Sequence, residues 1–160
     1  MTVTIVELVK VFAEPLDVAV LVTDIDLERP GPAILYANPT FARMSGYTAD
    51  EVLGTSPRLL QGSGTNSEAT RIVARSLRAE GRFRGVLQNY RKSGEAYLCE
   101  LDVRSILGCT GKPEAFIAFE REVVRRRGRP SQETAGRFRP LVPTVSACLL
   151  ALNVGTDLFT

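Results

Sequence analysis

The stretch Gly54-Thr-Ser-Pro-Arg-Leu-Leu-Gln-Gly62 places an apolar pair between two polar side chains that can recognise a ligand. Arg58 presents a planar set of hydrogen-bond donors that suits a phosphate or a carboxylate. Gln61 presents a donor and an acceptor together, which suits the edge of a heterocycle. The stretch can therefore bind a ligand at two points. In the alternative interpretation, Leu59 and Leu60 fill a core while Arg58 and Gln61 face solvent.

The composition around this stretch is that of one globular domain. The chain has 160 residues, of which 44% are hydrophobic and 24% charged, enough for a proper core. It has no histidine, and its three cysteines, Cys99, Cys109 and Cys148, form no close-spaced pair. These facts argue against a zinc cluster or a histidine-ligated haem, and they exclude Ser-His-Asp and Cys-His catalytic sets. We expect neither a metal site nor an enzyme.

The N-terminal apolar run contains Glu7 and Lys10 and is too short to cross a bilayer, so we expect a cytoplasmic protein without a membrane segment. The net charge of +2 is unevenly distributed, because residues 121–139 hold seven arginines against Glu122 and Glu133. The basic character therefore belongs to a tail. We expect this tail to be a solvated linker and do not expect a nucleic-acid partner.

Capping signals and hydrophobic patterns divide the chain into short elements. Asn38 followed by Pro39 indicates a helix start, Thr48 with Glu51 forms a capping box, and Asn66 or Ser67 begins a longer helix that Gly81 closes. The predicted helices span residues 4–13, 39–46, 48–54 and 67–81, and the predicted strands span 18–22, 33–37, 83–92, 95–107 and 115–124. This order favours an α+β fold in which an antiparallel sheet carries helices on one face.

Several motifs together resemble a PAS domain, and more narrowly the LOV subgroup of flavin-binding blue-light sensors. They are Tyr36-Ala-Asn-Pro-Thr-Phe41, Ser45-Gly46-Tyr47, Glu51-Val-Leu-Gly54, Pro57-Arg-Leu-Leu-Gln-Gly62, Asn89-Tyr90-Arg91-Lys92-Ser-Gly94 and Phe116-Ile117. The resemblance implies a PAS fold, with a five-stranded antiparallel sheet closed by short helices on one face around a flavin. The expected organisation is an N-terminal flanking helix at 1–15, a PAS/LOV-like domain at 16–125, and a basic linker with a C-terminal extension at 126–160.

The resemblance also implies roles for six cofactor-binding residues. Arg58 and Arg71 would hold the phosphate of FMN, Gln61 would meet the pyrimidine side of the ring, and Asn89 would bond its edge. Cys99 stands where the family usually has a second asparagine at the ring edge. Glu120 stands where the family has the glutamine that senses flavin N5. FMN or FAD is the expected cofactor.

Three departures from the family pattern change the expected chemistry. Pro57 occupies the position of the cysteine that adds covalently to the excited flavin, so no cysteinyl adduct can form there. Cys99 is a weaker hydrogen-bond partner than asparagine, and we expect a buried structural thiol. Glu120 would be costly as a buried anion, so it is either protonated or paired with a basic group. With a flavin it would take part in proton exchange; without one it would pair with an arginine at the sheet edge.

The sequence leaves two functions open. The first is a sensory and signalling domain that holds FMN or FAD non-covalently and reports blue light or redox state. The second is a cofactor-free PAS module for dimerisation or protein–protein interaction. In both we expect a homodimer, built from Ile5, Leu8 and Phe12 with outward strand residues such as Val86 and Val103, and an unidentified signalling partner. Residues 141–152 are apolar enough for a helix or strand beginning near Thr144.

Overall fold

The computed structural model describes residues 4–127 and 137–141. The helices are α1 (Ile5–Ala13), α2 (Pro39–Ser45), α3 (Ala49–Val52) and α4 (Ser67–Glu80), with a 3-10 helix at Pro57–Leu60. The strands are β1 (Ala19–Thr23), β2 (Ile34–Ala37), β3 (Arg82–Tyr90), β4 (Ala96–Leu107), β5 (Pro113–Arg125) and β6 (Phe138–Pro140).

The strands form one antiparallel sheet in the order β2-β1-β5-β4-β3. This confirms the predicted α+β class and its five strands. The sixth strand, β6, was not predicted: Phe138 to Pro140 pair with Arg125 to Val123 of β5, inside the segment interpreted as a linker. The element predicted to begin near Thr144 lies outside the described residues.

Local capping signals start the helices as predicted. Asn38, Thr48 and Asn66 are the N-caps of α2, α3 and α4, and the Thr48–Glu51 capping box is formed. Gly81 ends α4 with φ of 66°, a left-handed conformation that glycine adopts without strain. A second capping box, between Thr4 and Glu7, starts α1.

Asn38 is fully buried and connects three elements. Its Oδ1 accepts hydrogen bonds from the backbone N–H groups of Val20 and Phe41, at 2.9 and 3.0 Å. Its Nδ2 donates to the carbonyl oxygens of Ala13 and Val18, at 3.0 and 2.9 Å. The end of α1, the start of β1 and the start of α2 are therefore fixed to one side chain.

Helix α1 covers what we call the outer face of the sheet. Val9 and Ala13 are buried there against residues of β1 and β5 such as Val20 and Phe119. The sequence predicts that Ile5, Leu8 and Phe12 contribute to a dimer surface. Ile5 packs against the core in part, whereas Leu8 and Phe12 are 62% and 44% exposed and Val11 is 80% exposed. The helix is apolar on more than one side, so part of its apolar surface faces solvent.

Helices α2, α3, α4 and the 3-10 helix cover the opposite, inner face. Phe41, Val52 and Leu60 pack on Leu21 of β1, and Leu77 of α4 packs near Phe116 of β5. The prediction that Val103 points outward is wrong, because its side chain is buried in the cluster beneath α4. Val86 is partly exposed, and its cross-strand partner is Glu100.

Candidate functional site

A cavity of about 120 Å³ lies between the inner face of the sheet, the 3-10 helix and α4. Its walls are mainly apolar, because alternate residues of β3, β4 and β5 point to this face and meet the buried side of α4. The apolar lining includes Leu21, Leu60, Val73, Leu77, Leu87, Leu101, Val103 and Phe116. These apolar walls suit a planar aromatic ligand.

Four of the six predicted site residues line this cavity: Arg58, Gln61, Asn89 and Glu120. They come from three separate parts of the chain, namely the 3-10 turn, β3 and β5. The structure therefore brings together side chains that lie far apart in sequence.

The 3-10 helix places Arg58 and Gln61 at the mouth of the cavity. The Ser56 hydroxyl accepts a hydrogen bond from Arg58 N at 3.3 Å, and Leu60 is buried, so the turn is fixed to the core. Arg58 and Gln61 are largely exposed. Both interpretations of this stretch hold in part. Leu60 fills the core, while Arg58 and Gln61 are exposed to solvent and also line the cavity. Pro57 also lines the cavity.

The Arg58 side chain passes close to Gly31, in the loop between β1 and β2. Gly31 has φ of 113°, a conformation that other residues rarely adopt. A Cβ at this position would lie 2.6 Å from Ser56 Oγ and 3.0 Å from Arg58 Nε. Glycine is needed here both for the backbone conformation and for the space that Arg58 occupies.

Glu120 is 2% exposed, and its described hydrogen-bond partner is a thiol. Cys99 Sγ lies 3.6 Å from Glu120 Oε2. Burial raises the pKa of Glu120 to about 7, and the contact with Cys99 opposes this only in part. No described basic residue forms an ion pair with Glu120. Of the two alternatives for this carboxyl, the structure favours protonation over pairing with an arginine.

Cys99 is fully buried behind Glu120 and does not line the cavity. Burial, followed by the nearby Glu120 charge, raises the pKa of its thiol well above the ordinary value. A thiol that stays protonated is a poor nucleophile. This agrees with a structural role.

Asn89 is 4% exposed and lies opposite Tyr97 on the paired strand β4. The Tyr97 hydroxyl is buried without a hydrogen-bond partner among the described residues, and burial raises its pKa. Arg91 stacks over the Tyr97 ring at 4.5 Å and pairs with Glu122 at 2.8 Å. Sequence reasoning did not single out Tyr97, and its place beside Asn89 follows only from the strand register.

Arg71 lies on the exposed side of α4 and does not line the cavity. It lines a groove of about 850 Å³ that adjoins the cavity and shares Arg58 and Gln61 with it. Its guanidinium is 3.4 Å from the Glu68 carboxylate, with both side chains more than half exposed. Such a pair is weak, so Arg71 remains available to a ligand phosphate.

The arrangement suits a flavin in its chemistry. Apolar walls suit the ring, an amide and a carboxyl lie at the inner end, and guanidiniums lie at the mouth and in the groove. The cavity alone is smaller than the roughly 300–1,000 Å³ of typical ligand pockets. A bound flavin would therefore extend from the cavity into the groove.

No described helix is long and apolar enough to span a membrane. Within residues 4–127 and 137–141, no group of three or more His, Cys, Asp or Glu side chains is placed to hold a metal ion.

The PAS domain family matches residues 17–124 of this chain. A blue-light-activated histidine kinase of Brucella canis is 34% identical over 100 residues, which cover 62% of this chain and 20% of that protein. A nitrogen fixation regulatory protein of Klebsiella oxytoca is 36% identical over 90 residues, 56% of this chain and 18% of that protein. The chain thus spans about a fifth of the length of these curated relatives.

Solved structures show the same architecture. The LOV domain from the Erythrobacter litoralis EL346 blue-light activated histidine kinase has a TM-score of 0.61 and 25% identity. The superposition covers 67% of this chain and 96% of that domain.

Proposed function

Because this chain belongs to the PAS domain family, we propose that it is a LOV-like sensory domain that binds a flavin non-covalently and signals blue light or redox state. One observation carries this proposal: Arg58, Gln61, Asn89 and Glu120 line a single cavity in a chain whose relatives include blue-light-activated histidine kinases. We propose a sensing role and assign no catalytic activity to the chain.

The residues of the cavity and of the adjoining groove would have separate roles in binding. Arg58 and Arg71 would neutralise the phosphate at the mouth, since guanidiniums form charge-assisted hydrogen bonds with phosphate oxygens. Gln61 and Asn89 would pair with donors and acceptors of the ring, while the apolar walls exclude water. A bound flavin would supply the light absorption and the electron-accepting chemistry.

The positions of Pro57 and Cys99 support the proposal that binding is non-covalent. Pro57 lines the cavity and has no nucleophile. The Cys99 thiol lies outside the cavity lining, against Glu120, and the described Cys109 is exposed between β4 and β5. Illumination of a flavin-loaded sample should therefore give no reversible cysteinyl adduct in the absorbance spectrum. An adduct that survives Cys109→Ser would contradict this assignment.

Glu120 would convert a change in the cavity into a change in the sheet. It lies in β5 between Ala19 of β1 and Leu101 of β4. The preceding residue, Phe119, packs on the opposite face in the cluster that includes α1. A proton gained or lost at Glu120 would therefore change the contacts of β5 with its neighbouring strands and with α1.

Binding can be tested by flavin titration of Arg58→Ala and Asn89→Leu. Each change removes one polar contact, so FMN affinity should fall about tenfold, the equivalent of roughly 1.4 kcal/mol. Arg84→Ala is the matched control, because Arg84 is an exposed arginine on β3 paired with Glu100 outside the cavity. Equal affinity in all three variants would contradict the proposed site.

The alternative function, a cofactor-free interaction module, is favoured by the exposed apolar side of α1. Leu8, Val11 and Phe12 are exposed, and a groove of about 350 Å³ lies between α1 and the outer face of β4 and β5. A second copy of the chain would cover this surface in a symmetric dimer. A flavin-binding sensor can also form this dimer. The alternative function differs from it only in that no flavin binds.

Dimerisation can be tested by light scattering after size-exclusion chromatography. Leu8→Lys with Val11→Lys places two charges in the exposed apolar surface and should give monomers at concentrations where the parent is dimeric. Lys10→Glu is the control, because Lys10 is exposed on the opposite side of α1. A parent chain that is monomeric at every concentration would exclude the dimer.

A further inference from the structure

The groove beside the cavity is larger than a single phosphate requires. It measures about 850 Å³ and shares five lining residues with the cavity, so the two form one continuous space. One wall is the loop after β1, from Leu27 to Arg29, and the other is the exposed side of α4 from Ser67 to Ala79. A ligand leaving the cavity at Arg58 therefore enters a channel along the helix.

The groove is strongly basic. Five arginines line it, and they are Arg29, Arg58, Arg71, Arg75 and Arg78. Among the described residues, the acidic groups that line it or pair with these arginines are Glu28 and Glu68, so positive charge exceeds negative by three. The ion pairs are solvent-exposed, with Arg75 3.9 Å from Glu68 and Arg78 2.8 Å from Glu28. Exposed pairs of this kind contribute little and exchange readily for a stronger anion.

The arginines of α4 are spaced along the groove. Arg71, Arg75 and Arg78 follow an i, i+4, i+7 pattern, which places them on one side of the helix. Seven residues of helix rise about 10 Å. Arg71 pairs with Glu68 near the start of α4, whereas Arg78 pairs with Glu28 of the loop after β1, so their guanidiniums are directed to different parts of the groove. A mononucleotide flavin would leave the far guanidiniums without a ligand anion.

We propose that this groove binds the second phosphate and the nucleoside half of a flavin dinucleotide, so that the chain selects FAD over FMN. This inference rests on the proposed flavin-binding function and specifies its ligand. Arg58 and Arg71 hold the phosphate nearest the ring. Arg75 and Arg78 hold the next phosphate and the polar groups beyond it, with the loop at Arg29 forming the opposite wall.

The test compares the parent chain with Arg75→Ala/Arg78→Ala. The matched control is Arg82→Ala/Arg84→Ala, two exposed arginines in weak ion pairs with Glu80 and Glu100, outside the groove. The flavin released from each purified protein is identified by chromatography. Each flavin-free protein is then titrated separately with FAD and with FMN, using quenching of flavin fluorescence as the signal.

The parent should release FAD and bind FAD at least about tenfold more tightly than FMN, because two extra guanidinium contacts are available. The groove variant should lose about tenfold in FAD affinity and keep its FMN affinity, while the control keeps both. Equal affinities for the two flavins, or equal losses for both in the groove variant, would overturn the dinucleotide inference and leave flavin binding intact. A chain that binds neither flavin would refute the proposed function itself.

Discussion

Replacing Glu120 by glutamine tests the electrostatics of the cavity without a large change in shape. The native carboxyl is 2% exposed, and burial raises its pKa from an ordinary value of 4.5 to about 7. Glutamine keeps the size and the hydrogen-bonding oxygen but cannot ionise. The variant therefore removes one titration from the folded state and leaves the packing against Cys99 largely in place.

The sign of the effect follows from linkage. Below pH 4.5 the carboxyl is protonated in both the folded and the unfolded chain. Between pH 4.5 and about 7 the unfolded chain has released this proton while the folded chain still holds it, so the free energy of unfolding falls as pH rises. Above pH 7 the loss is complete. At about 1.4 kcal/mol per pH unit, the full loss is about 3 kcal/mol.

Urea unfolding at half-unit steps from pH 4.5 to 8.5 measures this loss, with far-UV circular dichroism as the signal because the chain has no tryptophan. Bound flavin is removed first, since a ligand would add its own stabilisation. The neighbouring Cys99 and Tyr97 have raised pKa values and stay neutral over this range. The parent should lose about 3 kcal/mol more than Glu120→Gln across the window. Parallel profiles for the two proteins would refute a buried, proton-retaining Glu120.

Two further predictions concern the scaffold. Asn38→Ala removes four buried hydrogen bonds and should lower the free energy of unfolding by about 3 kcal/mol. Asn66→Ala, at an exposed helix cap, is the control and should lower it by about 1 kcal/mol. Similar losses for the two variants in urea unfolding would contradict the connecting role of Asn38. Arg91→Met removes a partly buried ion pair with Glu122 and a hydrogen bond to the Met44 carbonyl, and should cost about 2 kcal/mol. Adding Glu122→Gln should recover part of that loss, and strictly additive losses would show that the pair is not coupled.

The helix starts were predictable because their signals are local. Asn38, Thr48 and Asn66 each cap a helix by accepting a hydrogen bond from a backbone N–H three residues ahead, so a short stretch of sequence contains the whole capping interaction. Strand β6 was not predictable in this way. Phe138-Arg139-Pro140 is too short to show an alternating pattern, and it forms a strand because residues 123–125 of β5 lie beyond the segment that pairs with β1. This pairing depends on distant parts of the chain.

The face of β4 that meets the core is indicated by its sequence. Apolar residues at 99, 101 and 103 alternate with charged residues at 100, 102 and 104, so the apolar set is expected to face the core. The prediction that Val103 points outward conflicts with this pattern, and the side chain lies with Leu101 beneath α4. In α1 the buried face is harder to predict, because apolar residues occur around most of the helix and only packing selects Val9 and Ala13 for burial.

The four cavity residues and Arg71 of the groove were found through the resemblance to a family, whereas Arg75 and Arg78 were not. Arg58, Gln61, Asn89 and Glu120 occupy positions matched to family motifs, and the structure places all four on one cavity. The spacing of Arg75 and Arg78 after Arg71 was visible in the sequence as an i, i+4, i+7 series. That the loop after β1 forms a groove with these arginines follows only from the structure.

The pigment of the purified chain tests the central claim most directly. If the cavity beneath α4 holds a flavin, the protein should be yellow, absorb in the blue, and release a flavin on denaturation in about one copy per chain. A colourless protein that also fails to take up added FMN or FAD would contradict the account. It would leave a PAS scaffold whose function lies in association alone.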